Sequence, residues 1–273
     1  LIGALAGDAI TDGNTNVAIG NEALSTNVQG DRNVAVGHKA LETLNPSGDA
    51  DTLNTAVGFK AGNALTTGVK NTILGADALD AATTSEMNVA IGHEALSADT
   101  QGDKSVAIGA GALKVQDHSD AAIFNCAVGT FAGTAVTTGH TLTLIGCNSG
   151  SAITTGQNHS ILGKFSGNDN NLDIRTNTNP HIVLSGGDGR PAMFFNEAAG
   201  SLGTWYAGNY QDNNYWPMVG SVSGNNAASF TIADGSLGAS GNGGNVLYIN
   251  RNNADGDLAR WYSQGGHEGT VSV

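Results

Sequence analysis

A nine-residue motif recurs through residues 1–168 and constrains the fold more strongly than any other feature of the sequence. Its pattern is Asn-x-Ala-Ile/Val-Gly-x-x-Ala-Leu/Gly, as in NVAIGNEAL from Asn16 and NVAIGHEAL from Asn88. The motif glycine follows a 17-residue period, apart from a four-residue insertion near Pro46 and a three-residue insertion near His118. A fixed period of this length is typical of repeat proteins whose units stack in one dimension.

Most repeats contain a second glycine, ten residues after the first. These second glycines are Gly13, Gly30, Gly68, Gly102, Gly139 and Gly156. We expect both glycines of a unit to occupy tight corners with positive φ, which glycine tolerates. The short stretches between corners are rich in Val, Thr and Asn, which favour extended backbone and leave no room for a helix. The sequence therefore predicts an all-β fold, in which residues 1–168 form a β-solenoid of about ten 17-residue coils.

The motif also predicts how a coil packs. Apolar Val17 and Ile19 flank the small Ala18, and consecutive apolar residues indicate a strand that is buried on both faces. One face would line the coil interior and the other would need a partner, which favours several chains around a common axis. The Asn that opens the motif is expected to form a ladder, each amide bonding the next. The structural repeat residues are Asn16, Gly20, Asn33, Gly37, Asn54, Gly58, Asn71, Gly75, Asn88, Gly92, Gly109, Asn125, Gly129, Gly146 and Gly163.

Composition excludes several classes of function. Only 13% of the residues are charged, and the net charge is -13. This argues against nucleic acid as a partner, because binding to nucleic acid needs a basic surface. No apolar run is long enough to cross a bilayer, so we expect no membrane insertion. The sequence contains no nucleophile elbow, zinc motif or phosphate loop, so it predicts no catalytic residue, no metal, no cofactor and no enzyme activity.

Two further expectations concern the cysteines and the chain ends. Cys126 and Cys147 would lie on adjacent coils but about four residues apart along the strand, too far for a disulfide. We therefore expect both to be buried free thiols. Because residue 1 is Leu, we expect the chain to be a processed or partial piece of a longer protein.

The composition changes after the repeats, which predicts a second, β-rich region at residues 169–273. Of the 15 Phe, Trp and Tyr residues, 11 lie from Phe194 onward. A polar linker is expected at residues 168–172, and two alternating stretches around residues 186–189 predict a hairpin. The densest aromatic cluster is Trp205, Tyr206, Tyr210, Tyr215 and Trp216. These side chains either fill the core of the region or form a receptor contact.

The repeats resemble the head repeats of trimeric autotransporter adhesins. They resemble still more closely tail-fibre proteins of tailed bacteriophages, which carry runs such as NTAVGFKAG followed by TTG, seen here from Asn54. Both resemblances imply a homotrimeric left-handed β-roll. The segments LDIRT, IVLSGGDG and NNADGDLARWY resemble the stretch just upstream of an intramolecular chaperone domain in phage fibres. The resemblance implies an extracellular location on the virion, with other tail or fibre proteins and a host cell-surface glycan or protein receptor as partners.

Three alternatives remain open from the residues alone. A bacterial trimeric surface adhesin would be expected to continue into a coiled-coil stalk and a membrane anchor, and no heptads are visible. A glycan depolymerase tailspike needs a pair of carboxylates, and none of the 24 acidic residues can be nominated. A monomeric ice-binding solenoid would have a regular row of Thr on a flat face, whereas Thr clusters at the corners here.

Overall fold

The computed structural model describes residues 2–48, 50–118, 122–169 and 172–196, and in addition the backbone of six strands between residues 204 and 272. Throughout these residues the regular structure is β-strand, and no helix is present. The chain divides into two compact units, Leu1–Thr231 and Ile232–Val273.

The strands of the repeat region are short because each forms one side of a small coil. They are β1 Val17–Ile19, β2 Gly30–Asp31, β3 Val34–Val36, β4 Ala50–Asp51, β5 Thr55–Val57, β6 Thr72–Leu74, β7 Val89–Ile91, β8 Val106–Ile108, β9 Cys126–Val128, β10 Thr143–Ile145 and β11 His159–Leu162. The later strands are β12 Asn168–Asp169, β13 Leu172–Asp173, β14 His181–Ser185, β15 Pro191–Asn196, β16 Thr204–Asn209, β17 Asn214–Val219, β18 Val222–Ser223, β19 Ala227–Ala228, β20 Asp257–Ser263 and β21 Gly266–Ser272.

Nine motif strands stack into one parallel sheet, in the order β1-β3-β5-β6-β7-β8-β9-β10-β11. Equivalent motif positions face each other, so that Ala18 pairs with Ala35 and Ala35 with Ala56. The eight pairings among these nine strands correspond to eight turns of the chain. Ile2 and β14 add a further rung at either end. The predicted all-β solenoid with a 17-residue period is therefore confirmed.

Backbone hydrogen bonds connect each coil to the next, both in the strands and at the corners. The Val17 amide donates to the Asn33 carbonyl at 2.8 Å, and the Leu24 amide donates to the Ala40 carbonyl at 3.1 Å. Because the next coil satisfies most of the polar backbone of each coil, a narrow coil can be stable without a wide sheet or a helix.

The interior of each coil is narrow and is filled mainly by Ala and Leu. The middle residue of each motif strand points inward and is fully buried, as at Ala18, Ala35 and Ala56. Leu24 and Leu41, which follow the motif glycine by four residues, are also fully buried. The Ala side chains let opposite walls of the coil approach closely, while each Leu contributes roughly 2 kcal/mol of hydrophobic stabilisation.

The two glycines of a unit are required for different reasons. The motif glycine Gly75 has a φ of +143°, and a Cβ there would lie 2.5 Å from the carbonyl oxygen of Gly92 in the next coil. The prediction of positive φ is wrong for the second glycines, none of which adopts it. A Cβ at Gly68 would instead lie 2.3 Å from the carbonyl oxygen of Ser85. Close approach of two backbones therefore explains the second glycine.

The second extended stretch that was expected in each unit is present in only part of the solenoid. β2 pairs in parallel with β4, and Asp103 forms an isolated bridge to Ala122. On the other described coils this side consists of turns and bends. Left-handed residues such as Lys70, with a φ of 61°, interrupt the extended backbone there.

Left-handed backbone also occurs at many non-glycine residues, which the sequence reasoning missed. Leu24, Leu41 and Leu79 have φ values of 50° to 51° and are nevertheless fully buried. Left-handed backbone costs roughly 1 to 2 kcal/mol per residue, and burial of the Leu side chain offsets that cost. A signal was available, because the last motif position alternates between Leu and Gly. Gly62, with a φ of 61°, occupies the place that Leu41 has in the preceding coil.

The sheet continues beyond the repeats. β14 pairs in parallel with β11 and antiparallel with β15, which confirms the hairpin predicted around residues 186–189. β16 and β17 extend the sheet as further antiparallel strands. The expectation of a simple polar linker at residues 168–172 is wrong, because β12 pairs antiparallel with β13. The boundary between residues 168 and 169 stays a prediction. In the second compact unit, β20 and β21 form an antiparallel pair.

We expect Gly75→Ala to destabilise the solenoid by several kcal/mol, because the new Cβ meets the backbone of the next coil and the residue has positive φ. The matched control is Gly187→Ala, since a Cβ at Gly187 meets nothing within 4 Å. Thermal unfolding followed by circular dichroism measures both variants. Equal melting temperatures for Gly75→Ala and the wild type would contradict the close packing of motif glycines.

Candidate functional site

The outward side of the parallel sheet is an apolar surface. In each motif strand the middle residue points inward, and its two neighbours point outward. One outward column consists of Ile19, Val36, Val57, Leu74, Ile91, Ile108, Val128, Ile145, Leu162 and Leu184. The other consists of Val17, Val34, Thr55, Thr72, Val89, Val106, Cys126, Thr143, Ser160 and Ile182. We call these two uncharged columns the apolar face.

The residues of the apolar face are exposed or half-buried in the single chain. Ile19, Leu74 and Leu162 expose 38%, 47% and 56% of their surface. In one chain by itself only the inward face of each strand has a wall to pack against, so burial of the outward face by a partner stays a prediction. At about 4.8 Å per coil, the face is roughly 40 Å long and 10 Å wide, about 400 Å² in all. The largest apolar patch on a typical monomeric protein is of about this size and is often functional.

Inside the coils, the motif Asn side chains connect each coil to the next. The backbone N–H of Asn71 donates to Asn54 Oδ1 at 2.9 Å, and that of Asn88 donates to Asn71 Oδ1 at 3.0 Å. The Asn54 side-chain amide donates to the Gly68 carbonyl, and the Asn71 amide to the Ser85 carbonyl, both at 2.8 Å. Most bonds of the ladder thus join an amide to backbone, although Asn71 Nδ2 also donates to Asn54 Oδ1 at 3.1 Å. These amides are buried, so they cannot form a row that contacts a glycan.

One position of the Asn ladder carries a serine, and a neighbouring glutamine side chain forms hydrogen bonds there. Ser105 stands in place of Asn, and the buried Gln116 reaches across to it. Gln116 Nε2 donates to Ser105 Oγ at 3.3 Å and to Asp99 Oδ2 at 2.7 Å, while Gln116 Oε1 accepts from Asn125 Nδ2 at 2.8 Å. Asp99 also accepts from the Gly102 amide, and its burial raises the pKa of its carboxyl group. The resulting network gives hydrogen-bond partners to the buried side chains of Ser105, Gln116 and Asn125.

Two buried histidines occupy the same column at its C-terminal end, which the sequence reasoning missed. The rings of His159 and His181 lie 5.2 Å apart at an angle of 70°, and the two residues are 0% and 2% exposed. His159 Nε2 lies 3.1 Å from the Ile174 carbonyl, and His181 Nδ1 lies 2.8 Å from the Asn179 carbonyl. His159 Nδ1 has no partner within the described part of the chain. The available signal was that HSILG, from His159, places His where the motif has Asn.

The backbone brings most of the predicted aromatic cluster onto two neighbouring strands. Trp205 and Tyr206 lie on β16, and Tyr215 and Trp216 lie on the antiparallel β17. Gly208 faces Tyr215 and Ala207 faces Trp216 in that pairing. Tyr210 lies outside the described residues. The choice between core and receptor contact for this cluster stays a prediction.

The cysteines are free, but the expectation that both are buried is wrong. Cys126 is half-buried and Cys147 is exposed. Cys126 belongs to the apolar face, because it pairs with Val106 in the outward column. Cys147 directly follows the motif glycine Gly146, at a corner. The two thiols therefore lie on different surfaces.

No family model, curated protein or solved structure matches this chain. Within the described residues, no helix is long and apolar enough to span a membrane. In the same part of the chain, the His, Cys, Asp and Glu side chains form no group of three that could hold a metal ion.

We expect acid to destabilise the C-terminal end of the solenoid through His159. Burial, together with the neighbouring His181, lowers the pKa of His159 to about 4 from 6.5, and burial also lowers the pKa of His181. Above pH 6.5 His159 is neutral in both states. Between pH 6.5 and about 4 only the unfolded chain takes up the proton, so stability falls as pH falls, by on the order of 3 kcal/mol in total for His159.

Melting temperatures between pH 7.5 and pH 4.5 measure this effect. His159→Asn restores the ladder residue and should reduce the loss of stability in acid. The control is His38→Asn, because His38 is exposed and forms no ion pair among the described residues. If His159→Asn and the wild type lost stability in parallel, the buried histidines would not be the cause.

Proposed function

We propose that this chain is a structural and receptor-binding component of a virion appendage, a phage tail fibre, in which three copies form a stiff extracellular shaft. The observation that carries the proposal is the apolar face, which runs without a charged residue along ten stacked strands. In this proposal three copies pack their apolar faces around a common axis. The resemblance of the repeats to phage fibres supports the same assembly.

Removal of the apolar face from water would stabilise such a trimer. The outward column of each copy contributes ten aliphatic side chains, and their burial is worth about 25 cal/mol per Å² of apolar surface. For a face of about 400 Å² per copy, this corresponds to roughly 10 kcal/mol per copy before the cost of association. The polar members of the face, such as Thr55, Thr72 and Ser160, are small hydroxyl side chains that need few partners.

The stacked coils are suited to a shaft that must resist bending. Each coil is hydrogen-bonded to the next by backbone groups and by the buried Asn ladder, so that bending the stack would break several bonds at once. The sheet also leaves few free strand edges along the shaft. Three copies would present three equivalent binding patches to a host surface, and avidity could replace a high affinity at each patch.

Attachment is assigned in this proposal to the region after the repeats. The aromatic cluster of Trp205, Tyr206, Tyr210, Tyr215 and Trp216 would contact a cell-surface glycan or protein receptor. Aromatic rings combined with neighbouring Asn and Asp side chains offer the stacking and hydrogen bonding that sugars need. Other tail or fibre proteins would join the shaft at its ends.

We expect Ile145→Asp to abolish the trimer, because it would place a carboxylate among apolar side chains between copies. The matched control is Val115→Asp, since Val115 is 40% exposed, against 41% for Ile145, but lies in a turn away from the apolar face. Light scattering before and after heating in detergent measures the mass. The wild type and the control should have three times the chain mass of 27.5 kDa, and Ile145→Asp should have the mass of one chain. A monomeric wild type would overturn the proposed assembly.

Attachment is tested separately, by binding of the labelled trimer to a panel of bacterial strains. A strain that binds the wild type should bind a Trp205→Ala, Trp216→Ala double variant several-fold more weakly, provided that the variant keeps the trimeric mass. Undiminished binding by a trimeric double variant would show that attachment does not use the aromatic cluster.

A further inference from the structure

The apolar face is bordered on both sides by ridges of exposed corner residues. The leading ridge lies two residues before each strand and includes Arg32, Leu53, Lys70, Met87, Lys104 and Phe124. All six have φ between 55° and 61°, and all are exposed. The trailing ridge lies two and three residues after each strand and includes Phe59, Asp77, Glu94 and Phe131. Both ridges consequently stand beside the surface on which another copy would pack.

In the coils of β5 and β9 the residues on the two ridges are both apolar, whereas Met87 and Glu94, which border β7, do not match. Phe124 and Phe131 border the same strand and are 58% and 48% exposed. Leu53 and Phe59 border another strand and are 43% and 47% exposed. The three strand residues between the ridges span roughly 10 Å, so matched residues of one chain stand on opposite sides of the apolar face. Matching of this kind is expected where each residue of the pair meets its counterpart on another copy.

A charged pair follows the same pattern. Lys70 is on the leading ridge and Asp77 on the trailing ridge of one coil. Among the described residues, neither of them forms an ion pair. Each charge is therefore available to a group outside its own chain.

Rotational symmetry determines which residues would meet. Rotation about an axis parallel to the solenoid changes no height along that axis, so a coil of one copy meets the same coil of the next. The same rotation brings the leading ridge of one copy against the trailing ridge of its neighbour. We propose that copies of this chain join where the leading ridge of one copy meets the trailing ridge of the next, at equal coil heights, and we call this contact the seam. Along the seam, Phe124 packs on Phe131 of the next copy and Leu53 packs on its Phe59. Lys70 pairs with its Asp77.

This inference rests on the proposed trimer, because the seam exists only where copies lie side by side. The coil of Arg32 and Lys39 would bring two cations together, but both are already paired within the chain. Arg32 is paired with Asp51, and Lys39 Nζ lies 3.0 Å from both Glu22 and Glu42. The free charges of opposite sign and the matched apolar residues therefore determine the register, and a shift by one coil would separate all three pairs.

Cysteine cross-linking tests the register. In a full-length chain carrying Cys126→Ser and Cys147→Ser, the pair Phe124→Cys and Phe131→Cys should form disulfides between copies on mild oxidation. Gel electrophoresis in detergent without reductant should then show a covalent species of three times the 27.5 kDa chain mass. The control pairs Phe124→Cys with Glu94→Cys, because Glu94 lies two coils away on the same trailing ridge, an offset of about 10 Å. It should give no covalent trimer.

The outcomes separate the seam from the trimer itself. A reduced variant of trimeric mass that does not cross-link, or a control that cross-links equally, would overturn the seam and leave the proposed function standing. A native mass of two chains together with a covalent dimer would support the ridge pairing and overturn the trimer. A monomeric wild type would overturn both.

A charge exchange keeps the test decisive if the cysteine variants fail to assemble. Lys70→Glu and Asp77→Lys should each lower the temperature at which the trimer dissociates in detergent, because each places like charges at one height. The double variant, Lys70→Glu with Asp77→Lys, should recover most of that loss. Additive losses in the double variant would overturn the proposed pairing.

Discussion

Hydrogen bonding between successive 17-residue coils is the interaction on which the rest of this structure depends. The backbone amides of one coil donate to the next at strands and corners alike, and the register of one pairing is repeated in every other. Each position of the repeat consequently stacks on its own equivalent. A side chain at one position therefore contacts the side chains at the same position in the coils above and below. Because the same packing requirement applies in every coil, similar residues recur at each position of the repeat.

The small size of the coil follows from that stacking and creates the apolar face. So short a coil encloses a narrow interior, which Ala on the strands and Leu at the corners fill completely. No interior space remains for the outward side chains of the same strands. Val17 and Ile19 are therefore left exposed on the same strand that buries Ala18. A single chain therefore leaves its apolar face uncovered, and we propose that further copies of the chain cover it.

Departures from the repeat are accommodated without loss of register. The insertions near Pro46 and His118 are followed by strands that pair as the others do. Where the Asn column loses its amide at Ser105, Gln116 supplies one from the opposite wall. Where the column ends in His159 and His181, the buried rings introduce a sensitivity to acid that Asn does not have. The axial backbone bonds tolerate these changes because they do not depend on side-chain identity.

The sequence by itself determined the period, the all-β class, the Asn ladder and the hairpin after the repeats. Periodicity identifies which residues are equivalent, and equivalence is sufficient to predict stacking. Only the tertiary structure decided what each column contacts. Gly68 and Gly75 look alike in sequence, yet one is required by the adjacent backbone alone and the other also by its φ of +143°. Likewise, Cys147 is exposed and Leu24 adopts left-handed backbone, because conformation and burial depend on the neighbouring coil and not on the spacing of the motif.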